Sequence, residues 1–196
     1  MSNQSKGQML NFVLRKLQVS EIDLIWQQIS RRELITQMYV QHKQHLDIVD
    51  CFYDVENWDG FHLDNDPPLL KQIHQQGGLC VGLFNSHDQL IGVQVVSNQL
   101  ITDYPEAKLL QYFYVDADHQ GQGIGALLMH SAIESAQQLG AKQLYISATP
   151  SKRTVDFYLK HGAQLLAQPD QHLWELEPED IHLMCSIASF IKNSAQ

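Results

Sequence analysis

The residues of this chain best suited to chemistry are Gln120-Gly121-Gln122-Gly123-Ile124-Gly125-Ala126. Three glycines at alternate positions clear side chains from the backbone, so successive N–H groups can face one ligand. A helical stripe starts at the same place: Ile124, Leu127, Leu128, Ala132, Ser135, Ala136 and Leu139 share a face, and Gly140 supplies a C-terminal stop. The start of that helix adds unsatisfied N–H groups and the positive end of its dipole. Such a bend is a cradle for a pyrophosphate. A P-loop would close on Gly-Lys-Ser/Thr, which the chain lacks here. The dinucleotide fingerprint G-x-G-x-x-G/A fits Gly121, Gly123 and Ala126. It also asks for glycines directly after a strand and an acid about 20 residues on. Asp116 to Gln120 intervene, and the next strand-like run, Gln143 to Thr149, carries no acid.

The elements that must position this bend follow from pattern. Ala107 to Val115 reads as the strand before it. Leu79 to Phe84 and Gln89 to Asn98 are apolar runs split by Asn85-Ser86-His87-Asp88, a hairpin signal. Upstream, Asn11 to Leu17 reads as a strand, Ser20 and Asp23 as a helix start, and Ile22, Ile25, Trp26 and Ile29 as its stripe. A second helical stretch is expected through Leu34 to Val49. Tyr53 to Pro68 is expected as a loop, with Pro67-Pro68 as a stop before a short helix from Leu69 to Gln76. Downstream come a strand at 143–149, a helix at 152–161, and strand-like runs near Ala163 to Ala167 and Leu173 to Leu176. After Pro178-Glu179-Asp180, the stripe Ile181, Met184, Ile187 or Ala188, and Ile191 predicts a helix that packs on the sheet or makes a homodimer contact. Hairpins followed by alternating helix and strand give a mixed α/β (α+β) sheet. The boundaries expected are a flexible 1–8, one domain over 9–178, and a helical tail over 179–196.

Gln120 to Gly125 also fits Q/R-x-x-G-x-G/A. Tyr145-Ile146-Ser147-Ala148-Thr149-Pro150-Ser151 follows as a strand and its exit, and Thr154-Val155-Asp156-Phe157-Tyr158 with Gly162-Ala163 is similar to A-x-x-F-Y-x-x-x-G-F. In this order and spacing, over about Leu79 to Leu176, the chain resembles the GNAT superfamily of N-acetyltransferases. The resemblance implies a mostly antiparallel central sheet, flanked by helices and splayed open beside the glycine loop, with the pantetheine arm of acetyl coenzyme A in the gap. It implies cofactor contacts at Phe113, Tyr114 and Val115, whose backbone would meet the thioester, at Gln120, Gly121, Gln122, Gly123, Ile124, Gly125 and Ala126, and at Ser151. Ser151 stands where the family often has asparagine, Gln120 where arginine is more frequent, and Thr154 where alanine is common. Tyr158 aligns with the tyrosine of the F-Y pair and is the expected proton donor to the leaving thiolate. A phenol titrating near about 10 is protonated at neutral pH. The reaction implied is acetyl transfer to a primary amine of a small molecule or peptide, by direct attack in a ternary complex. A non-catalytic acyl-coenzyme A sensor with the same loop, a nucleotide-binding oxidoreductase, and a plain core tyrosine at 158 are the competing readings.

Composition narrows the rest. The 196 residues, 44% hydrophobic, suit one domain. Cys51, Cys80 and Cys185 are far apart, and ten histidines lack helical pairing, so neither a disulfide framework nor a metal site is expected. A formal net charge of -9 argues against nucleic-acid binding and also repels polyanionic coenzyme A. The cradle must therefore act by short-range backbone contacts, while a cationic acceptor is favoured. Met1 to Gln8 lacks an apolar signal core and no apolar run approaches the spanning length of about 20, so a cytoplasmic protein without membrane partners is the expectation. Between Gln41 and Pro68 stand Asp47, Asp50, Asp54, Glu56, Asp59, Asp64 and Asp66, with Lys43 as the only lysine or arginine. They read as a solvated acidic loop or as an ammonium site with Trp58 or Tyr53. No carboxylate lies in Leu109 to Val115; Asp103, Glu106, Asp116 and His119 near its ends read as surface groups.

Overall fold

A computed structural model describes residues 12–194. In chain order its elements are β1 (Val13–Lys16), α1 (Leu24–Gln28), β2 (Glu33–His42), β3 (His45–Val55), α2 (Gly60–Gln75), β4 (Leu79–Phe84), β5 (Leu90–Val96), β6 (Ala107–Val115), α3 (Ile124–Gln138), β7 (Gln143–Ala148), α4 (Lys152–Lys160), β8 (Gln164–Leu165), α5 (Gln171–Leu176), β9 (Ile181–Ser186) and α6 (Ile187–Ser194). One seven-stranded sheet runs β1-β4-β5-β6-β7-β9-β8, and β2 and β3 form a separate hairpin. Every pairing is antiparallel except β6 with β7. The mixed α/β, mostly antiparallel sheet expected from the sequence is therefore present.

Two apolar cores hold helices on opposite faces. On one face Met129, Ala132, Ile133 and Ala136 of α3 and Val155 and Tyr158 of α4 pack on Val96, Leu110, Ile146 and Leu183. On the other, Ile25 of α1 and Leu70 and Ile73 of α2, with Trp58, pack on Val93, Val95 and Tyr112. A bulge decides which β6 side chains go where. Val95 pairs with Tyr112 but Val96 pairs with Leu110, so Gln111 is an extra residue. Alternation is thereby shifted: Leu110 and Phe113 share the α3/α4 face, and Tyr112 and Tyr114 the α1/α2 face.

The sheet opens just after the bulge. Parallel pairing of β6 with β7 begins at Ala107↔Gln143 and ends at Leu110↔Ile146, whereas β6 continues to Val115 beside β5. Past Leu110, the β7 side of β6 has no strand, which is the splayed gap the resemblance implied.

Several local expectations are corrected. Leu34 to Val49 is not helical: it lies in the β2–β3 hairpin, turned at Lys43 with φ 58°. Most of Tyr53 to Pro68 is not loop, because α2 begins at Gly60, capped by Asp59, and runs through Pro67 and Pro68. The α1 region starts instead at a box in which the Glu21 carboxylate accepts from Gln18 N–H at 2.8 Å. Leu173 to Leu176 is helix, not strand; the Asp170 side chain caps α5 by accepting from Leu173 N–H at 3.1 Å. The helical stripe from Ile181 does not exist. Ile181 and Met184 lie in β9 and are buried in different cores, and helix begins only at Ile187. Of that stripe, Ile181, Met184 and Ile187 are buried and Ile191 is exposed. The stretch 1–8, expected to be flexible, lies outside the described residues.

Candidate active site

The glycine bend lies between a short 3-10 turn at Ala117–His119 and α3. Gly121 and Gly123 have φ of +77° and +82°, a region that costs an L residue about 1–2 kcal/mol. Gly123 is the N-cap of α3, and no side chain caps that helix. Gly121, Gln122 and Gly123 are exposed. The N–H groups of Ile124 and Gly125 at the start of α3 are thus left to whatever occupies the bend, while those of Ala126 and Leu127 donate to the Gly123 carbonyl at 3.1 and 3.3 Å. Gly125 has a packing role: a Cβ there would sit 2.9 Å from Phe157 Cε2. The bend is held from below. Gln120 Nε2 donates to the Val115 carbonyl at 3.1 Å, so this side chain ties bend to strand. Asp116, expected at the surface, is 7% exposed and accepts from Ser30 N–H at 2.9 Å and from His119 Nδ1 at 2.6 Å. Ala117 N–H also bonds the Ser30 carbonyl.

The gap brings the remaining expected residues together. Asp116 N–H bonds the Ile91 carbonyl of β5 at 2.9 Å. By strand alternation, Phe113 and Val115 turn their backbone groups the other way, into the gap, while Tyr114 turns its own toward β5. Across the gap stands Tyr158, 5% exposed, its ring 5.8 Å from that of Phe113. Burial pushes its phenol above the ordinary tyrosine value, reinforced by Tyr114 and Asp180. Phe157 of α4, its ring 5.6 Å from that of Phe113, packs over Gly125 of α3. Ser151 caps α4, accepting from Thr154 N–H at 3.3 Å and donating to Thr154 Oγ1 at 2.9 Å. It is 1% exposed, so a cofactor contact by its hydroxyl has little free surface to use.

The β2 strand lies along this end of the gap. Tyr39 N–H bonds the Pro150 carbonyl at 2.8 Å, and the Tyr39 hydroxyl donates to Asp156 at 2.7 Å. Between β2 and the start of α4 is a cleft of ≈ 300 Å³, lined by Glu33 to Gln37 and by Ser151, Lys152, Arg153 and Asp156. On the α1/α2 face, Tyr112 donates to Asp66 at 2.8 Å and Trp58 donates to the Ile29 carbonyl at 2.7 Å. Trp58 is buried against Tyr112 and Tyr114, which makes it core rather than an open aromatic face; Tyr53 is exposed on the hairpin. Of the seven acids from Gln41 to Pro68, Asp59 is a helix cap and Asp66 turns inward.

Sequence reasoning missed Asp180, read there as part of a helix start. It lies just ahead of β9, half-buried, and accepts from Ser147 Oγ at 2.8 Å. Burial pushes its carboxyl up to about 6. Its one local signal, an acid beside an apolar run, is common to many turns.

A model of the Acetyltransferase (GNAT) family matches residues 44–163, more than half of the chain. No curated protein matches it. Among solved structures, nourseothricin acetyltransferase is similar with a TM-score of 0.62 and 17% identity, over 88% of this chain and 95% of that one. A Bacillus anthracis acetyltransferase in complex with acetyl coenzyme A has a TM-score of 0.63 and 14% identity, over 89% and 96%. The Escherichia coli GNAT family N-acetyltransferase YhbS, in complex with coenzyme A, has 0.60 and 15%, over 95% and 87%. At these identities the likeness shows the fold. The sheet is not the doubly wound parallel one of a dinucleotide enzyme, so that competing reading falls. The family match, which spans the bend and the F-Y helix, makes this chain a member of the GNAT acetyltransferase family.

Proposed function

We propose that the protein transfers an acetyl group from acetyl coenzyme A to a primary amine. The observation that carries this reading is the uncapped, exposed start of α3 beside a strand whose backbone faces an open gap. In it, the amides of Gln122 to Gly125 grip the pyrophosphate, with Gly121 and Gly123 keeping the approach clear, Gln120 holding the bend against Val115 and Ala126 continuing α3 beneath the ligand. The thioester lies along Phe113 to Val115, where N–H groups of Phe113 and Val115 polarise the carbonyl and hold the tetrahedral oxyanion. Tyr158 then protonates the leaving sulfur. The acceptor is a small molecule or peptide, reached without nucleic acid or membrane, and a cytoplasmic setting suits it. We take 9–178 as one acyl-transfer unit, completed by β9, which lies within its sheet, and by α6 beyond it.

Transfer in this reading is direct, with amine and acetyl coenzyme A bound together. Burial pushes the thiols of Cys80 and Cys185 up to about 11, which leaves them little thiolate for attack. Incubation with isotope-labelled acetyl coenzyme A followed by denaturing gel filtration should leave no label on the protein, while amine-dependent thiol release proceeds. Label retained on protein would contradict direct attack, and absence of thiol release would contradict the transfer itself.

A further inference from the structure

The splayed gap has two mouths. The cradle and Tyr158 belong to the α3/α4 face. Ile146 and Ala148 of β7 enter the core on that face, so Ser147 between them points to the α1/α2 face, as do Tyr145 and Tyr114. Asp180 accepts from Ser147 and immediately precedes Ile181, which pairs with Ala148 at the end of β7. The carboxylate therefore sits on the α1/α2 side of β7, where β6 has departed. Its charge acts on Tyr114 of β6 and on Tyr158 of α4. Among the described residues no lysine, arginine or histidine pairs with it. Glu177 and Glu179, on its own segment, are like-charged neighbours, and Tyr114 itself also feels Arg31, Asp66 and Glu33. A half-buried carboxylate without a cation is costly to keep, and such groups cluster where chemistry is done.

We propose that Asp180 is the general base: its carboxylate receives the acceptor's ammonium at the α1/α2 mouth and takes a proton from it, opposite Tyr158 across the thioester. This rests on the transfer reading above. An ammonium has no lone pair for attack, so it must first lose a proton. Asp180 takes that proton and releases it to water. The neutral amine forms a C–N bond to the thioester carbonyl carbon, giving a tetrahedral oxyanion. The C–S bond breaks as the thiolate receives the Tyr158 proton. The second proton leaving nitrogen replaces, through water, the one Tyr158 gave. A carboxyl that titrates near neutrality suits a base of this kind, and the Ser147 hydrogen bond keeps it from rising further.

The test compares thiol release from acetyl coenzyme A with ethylamine and with trifluoroethylamine, whose fluorines make it largely neutral near pH 7. Asp180→Asn should slow the ethylamine reaction about 100-fold and leave the trifluoroethylamine reaction within a few-fold of wild type. Ser147→Ala should move the acid limb of the wild-type pH profile to higher pH, since it removes a bond that favours the ionised carboxyl. Because the folded carboxyl binds its proton more tightly than the unfolded one, ionisation costs folding stability. Asp180→Asn should therefore melt higher than wild type above about pH 7 and lose that advantage below about pH 4. Equal rates for wild type and Asp180→Asn with ethylamine would overturn the proposal, as would an equal loss with both amines, and either result leaves the transfer reading standing. Wild-type protein that binds coenzyme A in a calorimeter but releases no thiol with either amine overturns both.

Discussion

Replacing Gly123 by tryptophan should weaken acetyl coenzyme A binding by about 100-fold or more while the protein still folds. Gly123 has φ +82° and a Cβ added there meets nothing within 4 Å, so an indole would project from the surface rather than into the core. The backbone strain is about 1–2 kcal/mol, which lowers the melting temperature of a chain this size by roughly 2–8 °C. Binding suffers more. The side chain would stand over the amides at the start of α3, and each charge-assisted hydrogen bond lost from a pyrophosphate is worth about 1.5–3 kcal/mol. Two such bonds correspond to about 100-fold or more in affinity. Gly140, at the other end of α3 with φ +80° and equally open surroundings, is the control. Gly140→Trp should show a similar melting loss with affinity unchanged. Isothermal titration of both variants checks the pair, and equal affinities would mean that the bend is not the binding site.

Tyr158→Phe should lower kcat about 100-fold and leave acetyl coenzyme A affinity unchanged. The ring packs on Phe113 and Phe157, contacts that phenylalanine keeps. Among the described residues none is hydrogen-bonded to the Tyr158 hydroxyl, so its removal leaves no buried partner unsatisfied. What is lost is the proton for the departing sulfur. Burial raises the phenol above its ordinary range, so it stays protonated through the accessible pH range and the deficit should not vary there. Steady-state thiol release against pH, beside calorimetric affinity, measures both quantities. A variant with wild-type kcat would reduce Tyr158 to a packing residue.

The parts of the fold visible in the sequence are those specified by local pattern. Asn85 to Asp88 punctuate the β4–β5 hairpin, and the stripe from Ile124 to Leu139 is α3. The β2–β3 hairpin was hidden because its turn uses Lys43 in the left-handed region rather than a glycine or asparagine. Its side chains are also exposed on both faces, as Ile48, Val49, Phe52 and Tyr53 illustrate, so no clean alternation marks it. Pro67 and Pro68 suggested a stop. In α2 the carbonyls they leave unpaired belong to Leu63 and Asp64, which are exposed and open to water. The β9 strand reads as a helical stripe because it is buried on both faces, which removes the period of two.

The site divides the same way. The cradle is one contiguous segment, so its glycines could be read directly. The gap depends on the bulge at Gln111 and on where β6 and β7 stop pairing, neither of which has a sequence marker. Asp180 meets Ser147 of β7 only because β9 inserts beside β7, a contact between residues 33 positions apart. Asp116 looked like a surface acid because its partner, Ser30 N–H, is 86 positions away.

The central claim is that the amides of the bend hold the pyrophosphate and lay the thioester in the gap between β6 and β7. Backbone amide chemical shifts recorded while coenzyme A is titrated into the wild-type protein test it most directly. The largest changes should fall on Gln122 to Gly125 and on Phe113 and Val115, with the control positions Gly77 and Gly140 unmoved. Saturable changes confined to any other surface, with those amides still, would contradict it.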